Sequence, residues 1–175
     1  MKAFVRFALA TALLVPVGIA AAGPAGAAGG TTCKTLTGSA TVTPGLGTTA
    51  KNQTILATSA IGGCVGGGVT KGTSKATNTT KNGNCTGLAK AGTKSTITQV
   101  ITWNTGATST LSGTTVTGPK VGQATIAMKV TKGLFVGLKA SQVIAFAPAK
   151  GGGSCTDASP LKKLTIKVVT PLVIK

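Results

Sequence analysis

The chain reads as all-β, an antiparallel sandwich of about seven to nine strands with two disulfides, and three observations predict it. No segment sustains the 3.6-residue apolar stripe of an amphipathic helix. Beyond residue 27 the chain is rich in Thr, Val, Ile, Ala and Gly, a composition suited to pleated, half-buried strands. Turn residues recur at short intervals, and lysine falls on one face of the alternating segments, which suits sheets with one buried and one solvated side.

The first stretch has the order of an export signal. Lys2 and Arg6 precede an apolar run from Phe7 to Ala22, and Ala25-Gly26-Ala27 offers small residues for cleavage. Pro16, Gly18, Gly23, Pro24 and Gly26 argue against a retained spanning helix. Cys33 follows Gly30-Thr31-Thr32, which lacks the aliphatic residue a lipid-anchoring signal needs. The expectation is a signal peptide over 1–27 and one domain over 28–175, secreted or envelope-associated, with no transmembrane segment after processing. Residues 28–175 number 148, a length that suits one domain.

The strands follow in order. Thr35 to Val42 ends at the turn-forming Pro44-Gly45, and Gln53 to Ile61 leads into Gly62-Gly63-Cys64. Gly66-Gly67-Gly68 reads as a loop, and Thr70 to Asn84, dense in Thr, Lys and Asn, reads as a long exposed connection. Ser95 to Trp103 puts Ile97, Gln99, Ile101 and Trp103 on one face, while Val100 opposite suggests cover on both sides. Asn104-Thr105-Gly106 makes a hairpin loop in which Gly106 takes a positive φ, and Thr108 to Thr117 returns. Ala124 to Thr131 alternates Ile126, Met128 and Val130 against Thr125, Lys129 and Thr131. Gln142 to Ala147 is a mixed apolar run, and Gly151-Gly152-Gly153 is a loop. Leu164 to Val169 alternates again, Pro171 interrupts, and Leu172 to Ile174 closes the last edge.

Cys33, Cys64, Cys85 and Cys155 are an even set behind an export signal, read as two disulfides in an oxidising compartment. Their gaps of 31, 21 and 70 positions do not match closely spaced zinc-ligand pairs, so no metal is expected. Of three possible pairings, the favoured one is Cys64–Cys85 as a local staple with Cys33–Cys155 tying the ends.

Beyond residue 27 there is no His, Glu, Tyr or Arg, and Asp157 is the one carboxylate side chain. General acid–base catalysis lacks its usual groups. Paired-carboxylate glycoside hydrolysis is excluded, and an oxygen-rich calcium site lacks ligands. A cysteine nucleophile would lack a base. Ser159-Pro160-Leu161-Lys162 matches S-x-x-K, but the partner motifs S-D-N and K-T-G are missing, so it reads as a surface serine beside a solvated lysine. A non-enzyme without a cofactor is expected.

The charge points to anionic partners. The whole chain carries +17, and its pI is near 10.4. Dedicated nucleic-acid binding is not expected, because the lysines are scattered and Trp103, Phe135 and Phe146 are too few for a stacking platform. The expected role is non-specific adhesion to anionic cell-envelope polymers, or other polyanions, through Lys129, Lys132, Lys162, Lys163 and Lys167. The alternative is a cationic antimicrobial or membrane-perturbing protein, which would need lysines beside an exposed apolar patch.

Several elements carry a resemblance: Cys33, Pro44-Gly45-Leu46, Gly63-Cys64, Cys85, Ile101 to Ser109, Thr131 to Gly137, and Cys155 with Pro160-Leu161. In these the chain resembles small exported four-cysteine β-sandwich proteins of actinobacteria, a group with no settled activity. The resemblance implies an immunoglobulin-like, secreted, non-enzymatic domain, and it implies no catalytic or binding residue.

Overall fold

The computed structural model describes residues 29–118 and 120–175; the expected signal peptide over 1–27 lies outside the described residues. In chain order the elements are β1 (Thr31–Leu46), β2 (Lys51–Val65), β3 (Gly72–Gly83), α1 (Cys85–Ala89), β4 (Lys94–Trp103), β5 (Thr108–Thr117), β6 (Gln123–Gly133), β7 (Lys139–Pro148) and β8 (Leu161–Ile174). Each strand pairs antiparallel with the next, and β8 returns to pair with β1. One sheet therefore closes into a barrel, where the sequence pointed to two stacked sheets of immunoglobulin type. Alternation of buried and exposed residues is the same in both architectures, so it cannot separate them. Closure depends on β1, whose pairing with β8 shifts register between Cys33 and Thr37 and again between Thr41 and Leu46. Such irregularities bend a strand and let it coil around the barrel.

The wall is sorted by parity. On β4, Ile97, Gln99, Ile101 and Trp103 are buried, while Thr96, Thr98, Val100 and Thr102 face out. Val100 is exposed, so this strand is covered on its inner side alone. Threonine and lysine dominate the outer wall and aliphatic residues the interior. A transmembrane barrel has the reverse arrangement, an apolar band outside. No described helix is long and apolar enough to cross a membrane.

Three local expectations are corrected. The stretch from Thr70 to Asn84 is no loop: β3 occupies most of it, alternating Ser74, Ala76, Asn78 and Thr80 inward with Thr73, Lys75, Thr77 and Thr79 outward. Its inward residues are small or polar, so hydrophobicity did not reveal the period. Pro44 lies inside β1 and Pro171 inside β8, each within an irregular stretch of the β1–β8 ladder, where a missing N–H is tolerated. A one-turn helix, α1, sits between β3 and β4, capped by Asn84, whose Oδ1 accepts from the Gly87 N–H at 2.6 Å.

The disulfides join Cys33 to Cys64 and Cys85 to Cys155, replacing the favoured pairs Cys64–Cys85 and Cys33–Cys155. The reason is the direction of the strands. Cys33 and Cys64 are register partners across β1 and β2, near one end of the barrel. Cys85 and Cys155 lie at the other end, with Cα atoms 5.9 Å apart. Between Cys64 and Cys85 runs the whole of β3, roughly 40 Å of extended chain at ~3.4 Å per residue.

Candidate functional site

The two ends of the barrel are filled differently. One end gathers the start of β1, the end of β8 and the turns 66–71, 104–107 and 134–138. There the buried Trp103 meets Phe135 edge to face, ring centroids 5.6 Å apart. The indole N–H donates to Ser109 Oγ at 2.8 Å, and that hydroxyl donates to the Leu134 carbonyl at 2.6 Å. A Cβ at Gly67 would run into the Phe135 ring, so the glycine is required by close approach as well as by its φ of 61°. Asn104 Oδ1 accepts from the Thr70 N–H at 2.9 Å and ties two turns together. This end is closed.

The other end is hollow. A cavity of about 120 Å³ lies inside it, lined from all eight strands and from α1. One side is apolar: Leu46, Ile126, Ile144, Phe146, Leu164 and Ile166. The side formed by β3 to β5 is polar, with Asn78, Thr80, Ser95 and Thr115. There Asn78 Nδ2 donates to Thr115 Oγ1 at 3.0 Å. Ala40, Ala57 and Ala124 leave the space that larger side chains would fill. Leu88 of α1 completes the lining. Between the two ends sit the inward-facing Gln99 and Gln142, both buried, whose Oε1 atoms have no partner among the described residues.

The wall also has a gap at this end. β3 and β4 pair only as far as Thr79 and Thr96. Beyond that rung β3 stays with β2, Gly83 facing Lys51, while β4 stays with β5, Lys94 facing Val116. A hollow of about 470 Å³ occupies the parting, flanked by Lys81 and Lys94. Gln53, Thr80 and Ser95 line both this hollow and the cavity, so the two spaces are neighbours across these side chains. Gln53 is buried, its amide fixed on the Gly45 N–H and C=O at 3.2 and 3.1 Å.

The lysines named from the sequence do not form one patch. Lys129 and Lys132 lie on β6 toward the closed end, Lys162 and Lys163 begin β8 at the open end, and Lys167 lies midway along β8. Strand pairing gathers a set the sequence did not single out. Lys129 is the register partner of Lys139, and Lys139 exchanges both backbone hydrogen bonds with Lys175, at 2.8 and 2.9 Å. Three exposed lysines thus stand in a row across β6, β7 and the chain end, at ~4.8 Å strand spacing. Their sequence separations gave no hint of this, because only the register brings them side by side.

Asp157 neutralises none of these. Its carboxylate accepts from Thr48 Oγ1 at 2.6 Å, from Thr49 Oγ1 at 2.7 Å and from the Thr49 N–H at 3.0 Å. Those bonds, the Thr48 hydroxyl first, hold its carboxyl well below the usual carboxylate range. The contact pins the β1–β2 turn to the β7–β8 loop. Ser159 is exposed in that same loop, its N–H donating to Thr156 Oγ1 at 3.0 Å, and it does not open a helix.

No family model matches the chain, and no curated protein and no solved structure matches it either.

Proposed function

We propose that this chain is an exported, non-catalytic protein that adheres to anionic polymers of the cell envelope through its lysines. The observation that carries the reading is the row Lys129, Lys139 and Lys175. Like charges placed directly opposite each other on a sheet are destabilising, and an anionic polymer laid across the strands relieves that repulsion at several points together. Lys132 stands on β6 beside the row, and Lys162, Lys163 and Lys167 on β8 offer a second contact toward the open end. The two disulfides agree with an oxidising compartment.

The membrane-perturbing alternative receives less support. Its requirement is an apolar patch beside the charge, whereas the exposed large apolar side chains among the described residues are dispersed. Val65 and Val136 are near the closed end, Val121 is at the open end, and Leu56, Val100 and Val169 lie along the wall.

The test is binding to a purified polyanionic wall polymer across a salt series. Affinity is expected to fall steeply from about 50 to 500 mM salt, because exposed charges are screened beyond ~8 Å at physiological ionic strength. The triple variant Lys129→Gln, Lys139→Gln, Lys175→Gln is expected to bind more weakly and to lower the slope of that salt dependence by about one per lysine removed. Adhesion that is indifferent to salt, or unchanged in the triple variant, sinks the reading.

A further inference from the structure

We propose that the open end of the barrel is a binding site for a small anionic amphiphile, whose apolar group enters the lumen and whose charged head stays in the wall gap between Lys81 and Lys94. The site is separate from the lysine row at the closed end and does not depend on polymer adhesion.

Four observations lead there. First, the cavity is built by every strand, so it is the lumen itself and not a surface dimple. Second, its size selects the ligand: about 120 Å³ is a little less than the ~150 Å³ apolar cavity that takes up benzene, so it suits an apolar group of about five carbons. Third, its lining is two-sided. Ile126, Ile144, Phe146 and Ile166 offer apolar contact, while Thr80 and Ser95 offer hydroxyls on the side where the wall parts. Fourth, the parting leads to charge. The hollow on the far side of Gln53, Thr80 and Ser95 has Lys81 and Lys94 on its two sides, and the sole carboxylate side chain, Asp157, is occupied by Thr48 and Thr49. A neutral apolar molecule would use only the lumen and a bare anion only the lysines. The two neighbouring spaces, parted by the Thr80 and Ser95 side chains, match a molecule with both parts once those side chains turn aside.

Isoleucine methyl NMR of the full-length processed protein tests this, with hexanoate as probe and hexyl phosphate, hexanol and acetate beside it. Hexanoate is expected to shift Ile55, Ile126, Ile144 and Ile166 saturably and to leave Ile101 and Ile174 of the closed end unmoved. Comparison with hexyl phosphate tells which anionic head is preferred, and saturable lumen shifts from either one support the site. Hexanol is expected to bind about threefold or more weakly, the loss of one exposed ion pair, and acetate not to shift the lumen methyls. Lys81→Gln with Lys94→Gln should bring hexanoate down to the level of hexanol. Ala57→Leu should abolish the lumen shifts, with unmoved closed-end methyls showing that the barrel has folded; should that variant not fold, Ser95→Leu takes its place. Open-end isoleucines that never shift, or binding unchanged in the lumen-filling variant, would overturn the proposal. The triple variant of the closed-end row should bind hexanoate normally, so failure of polymer adhesion and failure of this site are read separately.

Discussion

The closed and open ends of this barrel are made by the same eight strands, yet one is a packed core and the other encloses space. The difference lies in the volume of the inward side chains. Eight strands enclose an interior just wide enough for side chains to fill, or for one small ligand. Near the closed end Trp103, Phe135, Ile101, Leu172 and Ile174 fill it. Toward the open end Ala40, Ala57, Ala124, Ser95 and Thr115 face inward and do not. Packed core and empty volume are thereby divided along one axis, and mutations should separate them.

The largest contrast comes from truncating one aromatic at each end. Trp103→Ala removes a buried ring with a satisfied N–H and leaves a hole in packed surroundings, a change that costs about 3–5 kcal/mol. Phe146→Ala enlarges a cavity that already exists and removes a half-buried ring, so about 1–2 kcal/mol is expected. Urea unfolding of the two variants measures both. Equal losses would mean that the open end is packed like the closed one.

Removing each disulfide sharpens the comparison in a second way. The chain-entropy model gives about 4 kcal/mol for either bridge, because sequence separations of 31 and 70 differ little on a logarithmic scale. The global effect should therefore be similar, and the local effect should differ. Cys85→Ala with Cys155→Ala frees α1 from the β7–β8 loop, so amide exchange should quicken at α1 and the cavity mouth and not around Trp103. Cys33→Ala with Cys64→Ala should loosen the β1–β2 rungs beside the closed end and leave α1 protected. Identical exchange maps would show that neither bridge has a local role.

Much of the wall was legible in the sequence, and the closure was not. Thr108 to Thr117 coincides with β5, and the hairpin at Asn104-Thr105-Gly106 forms with Gly106 at a φ of 82°. These features are local, set by alternation and by one glycine. β3 is not legible there because Ser74, Asn78 and Thr80 are polar residues that face inward, where period-two patterning is invisible to hydrophobicity. The cysteine pairing is not legible either, because sequence proximity suggests Cys64 with Cys85, while a strand between them carries each to a different end. The candidate site was the least legible part. The cavity depends on which small residues converge inside the closed sheet, and the lysine row depends on register across β6, β7 and the chain end. Both are non-local facts that no single segment contains.

The smallest expected effect concerns pH, and it is read at the open end. Asp157 has a folded-state pKa held below its unfolded value, ordinarily near 3.9. The sign follows: its contribution is present in full above that value and is lost as pH falls through it toward the folded pKa. No His, Glu or Tyr exists to add a second transition. The melting temperature should accordingly stay flat from about pH 5 to 9 and decline only below about pH 4. Asp157→Asn should be slightly less stable at neutral pH and should show a shallower acid decline. Because Asp157 is exposed, water competes for its bonds and the shift in stability should be small, while exchange protection at the β1–β2 turn and β7–β8 loop reports its loss more sharply. A decline equally steep in Asp157→Asn would assign acid sensitivity to general charge repulsion among the lysines, and the open end would then have no titrating latch of its own.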